Sequence, residues 1–203
     1  VPFILAAKMP DINKKLKQAT VAIAGLGGLG STAAMALARA NIGRLIIADF
    51  DKVEISNLNR QQYFLDQVGQ EKVAALTANL LRINPELKIT GYQQKLTEEN
   101  IPKLFADADV IAECFDKADQ KQMIVQTVLA KMEKAVIVSA SGLAGYGSSN
   151  QILTRRISKR LILVGDNQSG IDTGLPLTAP RVWIAASQQA NAIIEILIDE
   201  IIK

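Results

Sequence analysis

Histidine is absent from this chain of 203 residues, and cysteine occurs once, as Cys114. Without imidazole the chain offers no histidine general acid or base and no histidine-ligated metal. A single thiol can build neither an internal disulfide framework nor a cysteine zinc site, in keeping with a reducing compartment. Cys114 ends an apolar run, where a cysteine acts as a small buried hydrophobe rather than a nucleophile. No apolar run reaches membrane-spanning length and the first twenty residues hold no signal-peptide core, so a cytoplasmic protein without membrane contact is expected. An excess of one charge is also missing. The chain carries 23 basic and 20 acidic residues, scattered apart from pairs such as Arg155-Arg156, so nucleic acid is not an expected partner. What is plentiful is apolar side chain, 49% of residues, enough for the core of one doubly wound domain and short for two.

The most informative stretch is residues 21–51, VAIAGLGGLGSTAAMALARANIGRLIIADFD. It reads as an apolar strand, a tight turn with Gly25, Gly27, Gly28 and Gly30, a helix starting at about Leu29, and a second apolar strand ending in Asp49 and Asp51. Such a turn lets backbone N–H groups approach a phosphate while the positive end of the helix points at the same place. Asp49, roughly 20 residues on, stands where a carboxylate accepts hydrogen bonds from a ribose hydroxyl pair. Close helix–strand packing alone would account for Gly27 and Gly30, but not for the aspartates.

The first 140 residues alternate strands and helices with short connections, the pattern of a parallel sheet with right-handed crossovers. Strands are expected at 42–49, 88–92, 109–114 and 135–139, and helices at 70–82, 98–105 and 119–131. Residues 1–19 form an arm or short helix, and 20–140 the nucleotide-binding core. Beyond 140 the pattern changes to SGLAGYGSS, two short strands at 150–155 and 160–164 that read as antiparallel additions to the edge, and a surface loop at 165–180. That loop is a candidate lid or docking element. A last helix over 180–202, with Thr178 as its cap, is apolar around much of its circumference. It either packs beneath the sheet beside another helix or shares a homodimer interface. The fold expected is therefore α/β, a mostly parallel Rossmann-like sheet with antiparallel strands near the C-terminus, in one domain across 1–203.

GLGGLGS, then ADFDKVEISNLNRQ, Gly69 with Lys72, and CFDKAD together resemble the adenylating E1-like superfamily typified by ThiF and MoeB. The later ASGLAG, TRR, GD and APR pieces are similar to its short, ThiF-like branch. The resemblance implies ATP and Mg²⁺ rather than NAD. It implies Asp49 on the ribose, Asn57, Arg60 and Gln61 over the nucleotide with Arg60 at the phosphates, Lys72 at the triphosphate, Asp51 near nucleotide or metal, and Asp116 on Mg²⁺. The activity implied is adenylation of the C-terminal glycine carboxylate of a small ubiquitin-like, ThiS-like sulfur carrier ending in Gly-Gly, with a separate protein as sulfur donor. That chemistry suits a chain without histidine: the carboxylate nucleophile is already ionised, and charge stabilisation is the main requirement.

Departures from the family pattern are as specific. Larger relatives carry paired CxxC zinc motifs and a carboxyl-side cysteine; this chain has neither, so no zinc and no cysteine relay are expected. In the dimers it resembles, an amino-terminal arginine reaches the partner's ATP site. No arginine precedes Arg39 here, only Lys8, Lys14, Lys15 and Lys17, which supply charge without the bidentate fork. These losses support an alternative, an E1-like nucleotide-binding protein without transfer activity that works by regulation or interaction. A third reading, an NAD-dependent oxidoreductase, fits the opening turn and nothing after it.

Overall fold

The computed structural model describes residues 12–170 and 174–198. Residues 12–18 are helical (α1), followed by β1 (Thr20–Ala24), α2 (Gly28–Arg39), β2 (Arg44–Asp49), α3 (Lys72–Ile83) and β3 (Lys88–Gln93). Then come α4 (Ile101–Leu104), β4 (Val110–Glu113), α5 (Ala118–Lys131), β5 (Val136–Ala140), β6 (Leu153–Ser158), β7 (Leu161–Gly165) and α6 (Ala179–Ile198). Seven strands form one sheet in the order β3-β2-β1-β4-β5-β7-β6. The order reverses direction between β1 and β4, which opens a crevice at their carboxyl ends.

Alternation along the central strands explains the layering. Val21 and Ile23 of β1 face α2, α3 and α6, whereas Ala22 and Ala24 face α4 and α5, and all four are fully buried. Helix α2 approaches β1 closely because Ala33 and Ala34 present little bulk. Helix α6 packs on α2 and across β5, β4 and β7, which bears out its place beneath the sheet. Its last expected residues, from 199 on, lie outside those described.

The antiparallel strands expected near the C-terminus are present, β6 pairing antiparallel with β7. The pair joins the sheet through β7, which runs parallel to β5, Ile137 against Leu161 through Ala140 against Val164, so that β6 alone is the edge. The β6–β7 hairpin folds back so that its second, more apolar strand takes the inner position and buries Ile162 and Val164, leaving β6 exposed along its length. Thr178 stands directly before α6 and its carbonyl accepts the Val182 N–H at 3.1 Å, while its hydroxyl donates to the Gly145 carbonyl at 3.0 Å, joining the loop after β5 to the start of α6.

Candidate functional site

A cleft of about 920 Å³ lies at the carboxyl ends of β1, β2, β3, β4 and β5. Gly25 shapes its floor. With φ of +88° and Cys114 O only 3.1 Å from where a Cβ would stand, any side chain at this position would be strained. The turn residue Leu26 is held on both sides, its N–H by Asp49 Oδ2 at 2.6 Å and its carbonyl by the Tyr63 hydroxyl at 2.8 Å. Burial, with Asp49 and Asp51 nearby, drives the Tyr63 hydroxyl pKa far upward, so it stays a donor. Helix α2 then begins with no capping side chain and no acidic residue in its first turn. Its first N–H groups are thus left facing the cleft, an arrangement that favours an anion.

The expected site residues divide into two groups. Gly25, Gly27, Gly28, Asp49, Asp51, Arg60, Gln61, Lys72 and Asp116 all line the cleft. Gly30 and Asn57 do not. Gly30 sits behind the turn, where a Cβ would overlap the carbonyl oxygen of Gly25, so its part is packing. Asn57 closes a short 3-10 turn, accepting the Glu54 N–H at 3.1 Å.

Asp49 spends one oxygen on Leu26 N and the other on Asp51 N at 2.8 Å, which leaves each oxygen a further lone pair. Lys72, 5% exposed, donates to Asp51 Oδ2 at 3.0 Å, so a buried cation is held against a half-exposed carboxylate. Arg60 is parked on Asn59 Oδ1 at 2.7 Å and the Ser56 carbonyl at 3.2 Å, while its own carbonyl takes the indole N–H of Trp183. Gln61 is buried, and its Oε1 has no partner. Asp116 is exposed and does not cap α5, whose N-cap is Lys117.

These features fit a nucleotide. The uncapped amides suit phosphates, the orphan Gln61 oxygen asks for a donor, and Lys72 supplies charge. They also fit Mg²⁺ brought in with phosphates, since such a site needs only one or two protein carboxylates. No cluster of three or more metal-ligating side chains exists among the described residues, which suits neither zinc nor a stand-alone metal centre. No helix of the described residues is long and apolar enough to cross a membrane.

Cys114 is buried, and burial pushes its thiol pKa strongly upward, consistent with a packing role. Iodoacetamide at neutral pH is expected to leave Cys114 unmodified in the native protein over hours and to label it on unfolding, as read by intact mass. Of the amino-terminal lysines, Lys15 is tied to the Ile198 carbonyl and Lys17 to Glu86, and Lys8 lies outside the described residues.

Two polar groups were not legible beforehand. The first is Asp166 with Arg181, paired at 2.6 Å with side chains 10% and 5% exposed. Partial burial works to raise the Asp166 carboxyl, but hydrogen bonds from Ser169, Gln168 and Arg181 outweigh it and take the pKa from 3.8 to about 2. The GD and APR pieces marked both residues without showing that they meet. A carboxyl whose folded value lies below its unfolded one stabilises fully above the unfolded value and loses that contribution as pH falls through the folded one. The latch is therefore expected to weaken between about pH 4 and pH 2, and urea titrations of wild type should lose more stability over that window than those of Arg181→Met. The second is Glu113, fully buried at the end of β4, which no periodicity argument singles out.

Fold and cleft together define a doubly wound α/β protein with its glycine turn open to a phosphate-bearing ligand. The ThiF family model matches residues 4–200, and the chain belongs to the ThiF family. It is 38% identical over 145 residues to the sulfur carrier protein ThiS adenylyltransferase of Escherichia coli, covering 71% of this chain and 57% of that protein. To the molybdopterin-synthase adenylyltransferase of the same organism it is 32% identical over 196 residues, covering 92% of this chain and 76% of the relative. The crystal structure of E. coli tRNA N6-threonylcarbamoyladenosine dehydratase in complex with AMP superposes with a TM-score of 0.81 at 20% identity, covering 92% and 89% of the two chains; at that identity the likeness concerns the fold.

Proposed function

We propose that this protein is an ATP-dependent adenylyltransferase that activates the C-terminal glycine carboxylate of a small ubiquitin-like sulfur carrier, releasing pyrophosphate. The observation that carries the reading is the convergence of the uncapped glycine turn, Lys72, Arg60, Gln61 and an unpartnered Asp116 on one cleft, in a family member without histidine. The reaction needs no general base. A glycine carboxylate is ionised at neutral pH, and its attack on the α-phosphorus requires in-line placement and neutralisation of the departing pyrophosphate.

In this reading the α2 amides and Lys72 hold the phosphates, and Asp49 and Gln61 take the nucleoside end. Arg60 leaves its contacts with Asn59 and Ser56, which cost little to break at the surface, and swings over the phosphates. Asp116 holds Mg²⁺, which supplies charge stabilisation on the phosphoryl oxygens. The carrier tail enters past Gly142, Leu143 and Ala144, which line the same cleft.

The test is Mg²⁺-dependent exchange of pyrophosphate into ATP with candidate carriers, intact or shortened by their terminal glycine. Exchange that requires the terminal glycine supports the proposal. ATP binding without exchange for any carrier would transfer the protein to the alternative, a nucleotide-binding relative that acts by interaction, or to a different acceptor such as the one in the name of the dehydratase.

A further inference from the structure

Glu113 is an unusual group to find fully buried. Its carboxylate lies at the carboxyl end of β4, three residues before Asp116, with no exposure to solvent. A charge in that position is costly unless every lone pair is used. Here they are used: Oε1 accepts the Phe115 N–H at 2.7 Å and Lys121 Nζ at 3.0 Å, and Oε2 accepts Lys121 Nζ at 3.1 Å and the Ser139 hydroxyl at 2.5 Å. From above, Gln189 of α6 donates to the Glu113 carbonyl at 2.9 Å and to the Val138 carbonyl at 2.7 Å, joining β4 and β5 at the same level. None of these groups has a role in the proposed reaction.

Their geometry gives them one. Phe115, whose N–H Glu113 holds, is the residue immediately before Asp116, so the carboxylate fixes the first peptide of the turn that presents Asp116. Lys121 lines the same cleft as Asp116 and lies within the first helical turn of α5. An ammonium there, if free, would pair with the exposed Asp116 carboxylate and compete with any divalent cation for it. Both oxygens of Glu113 instead engage it.

We infer that Glu113 is a positioning residue: it tethers the Phe115–Asp116 turn and takes up the charge of Lys121, so that Asp116 stands free to bind a divalent cation delivered with the nucleotide. The inference rests on the proposed metal role of Asp116.

The test measures Mn²⁺ bound to the complex of the full chain with a non-hydrolysable ATP analogue, by loss of the free Mn²⁺ signal in electron paramagnetic resonance. Asp116→Ala serves as the control for the underlying reading. Glu113→Gln keeps the shape but no longer neutralises Lys121, and it is expected to weaken Mn²⁺ binding by about five- to twenty-fold, a range set by an ion pair of moderate strength. Adding Lys121→Met should restore Mn²⁺ binding to within about two-fold of wild type, because an ion pair replaced on both sides by neutral groups leaves no stray charge. A merely structural role would show in thermal stability and would not produce that recovery. Unchanged Mn²⁺ binding in Glu113→Gln, or no recovery in the double variant, overturns the inference while the role of Asp116 stands. Unchanged binding in Asp116→Ala overturns the metal reading itself, and the inference with it. Should Glu113→Gln not fold, Glu113→Asp keeps the charge but is one methylene short of spanning Phe115 N and Lys121 Nζ; wild-type Mn²⁺ binding in that variant likewise overturns the inference.

Discussion

Replacing Asp116 with alanine is expected to lower Mg²⁺-dependent pyrophosphate–ATP exchange by about two to three orders of magnitude, the range seen when one preorganised electrostatic contact to a transition state is removed. The fold should be unaffected. Asp116 is exposed and does not cap α5, so its truncation leaves no helix end or buried group unsatisfied. Binding of ATP without metal should also change little, because the glycine turn, Lys72 and Gln61 are untouched. Isothermal titration with ATP in EDTA, set beside the exchange assay in Mg²⁺, checks both halves. Equal loss of binding and exchange would place Asp116 in ground-state binding. Full exchange activity would remove it from the chemistry. Lys72 offers a contrast: its ammonium is buried on Asp51, so Lys72→Met would disturb both the pair and the phosphates and would not separate the two effects.

The second large effect concerns two glycines of one turn that periodicity treats alike. Gly30→Ala is expected to destabilise the protein by more than about 4 kcal/mol or to prevent folding, since the new methyl overlaps the backbone of Gly25, with Ile23 Cγ2 also 3.1 Å away. Neither neighbour can give way. The Gly25 carbonyl belongs to the turn that Asp49 and Tyr63 clamp through Leu26, and Ile23 is in the middle of the sheet. Gly27→Ala, by contrast, meets only Gln61 Nε2 at 3.8 Å and retains an ordinary backbone with φ of −73°. It should fold with a melting temperature within a few degrees of wild type while weakening ATP binding, because the methyl projects where phosphate oxygens must approach the amides. Thermal unfolding and ATP titration of the pair decide it. A stable Gly30→Ala protein would mean the turn is more pliant than its hydrogen bonds imply, and unimpaired ATP binding by Gly27→Ala would move the phosphates off the helix terminus.

What the sequence alone determined is the part of the molecule whose physics is local. An unbroken apolar run, then an alanine-rich helical stretch, then a second apolar run dictates strand, helix and strand; a run of glycines dictates the tight turn; and the alternation of elements dictates parallel pairing with the carboxyl ends gathered at one side. That was enough to bring Asp49, Arg60, Lys72 and Asp116 to one cleft, and the absence of histidine narrowed the chemistry they could support. The tertiary structure decided whatever depends on which distant groups meet. Strand β7 is apolar and so is β5, but only their pairing showed that β7 takes the inner place and leaves β6 as the edge. Asn57 belongs to a motif that resembles a nucleotide contact, yet its side chain accepts a backbone N–H three residues away. Arg181, Glu113 and Ser139 are polar side chains that no hydropathy pattern would bury, and Asp166 and Lys121 come to meet them from partly buried positions. The buried members are tolerated because a partner arrives from another element, and the free energy of a desolvated charge is set by that partner rather than by its neighbours in the chain.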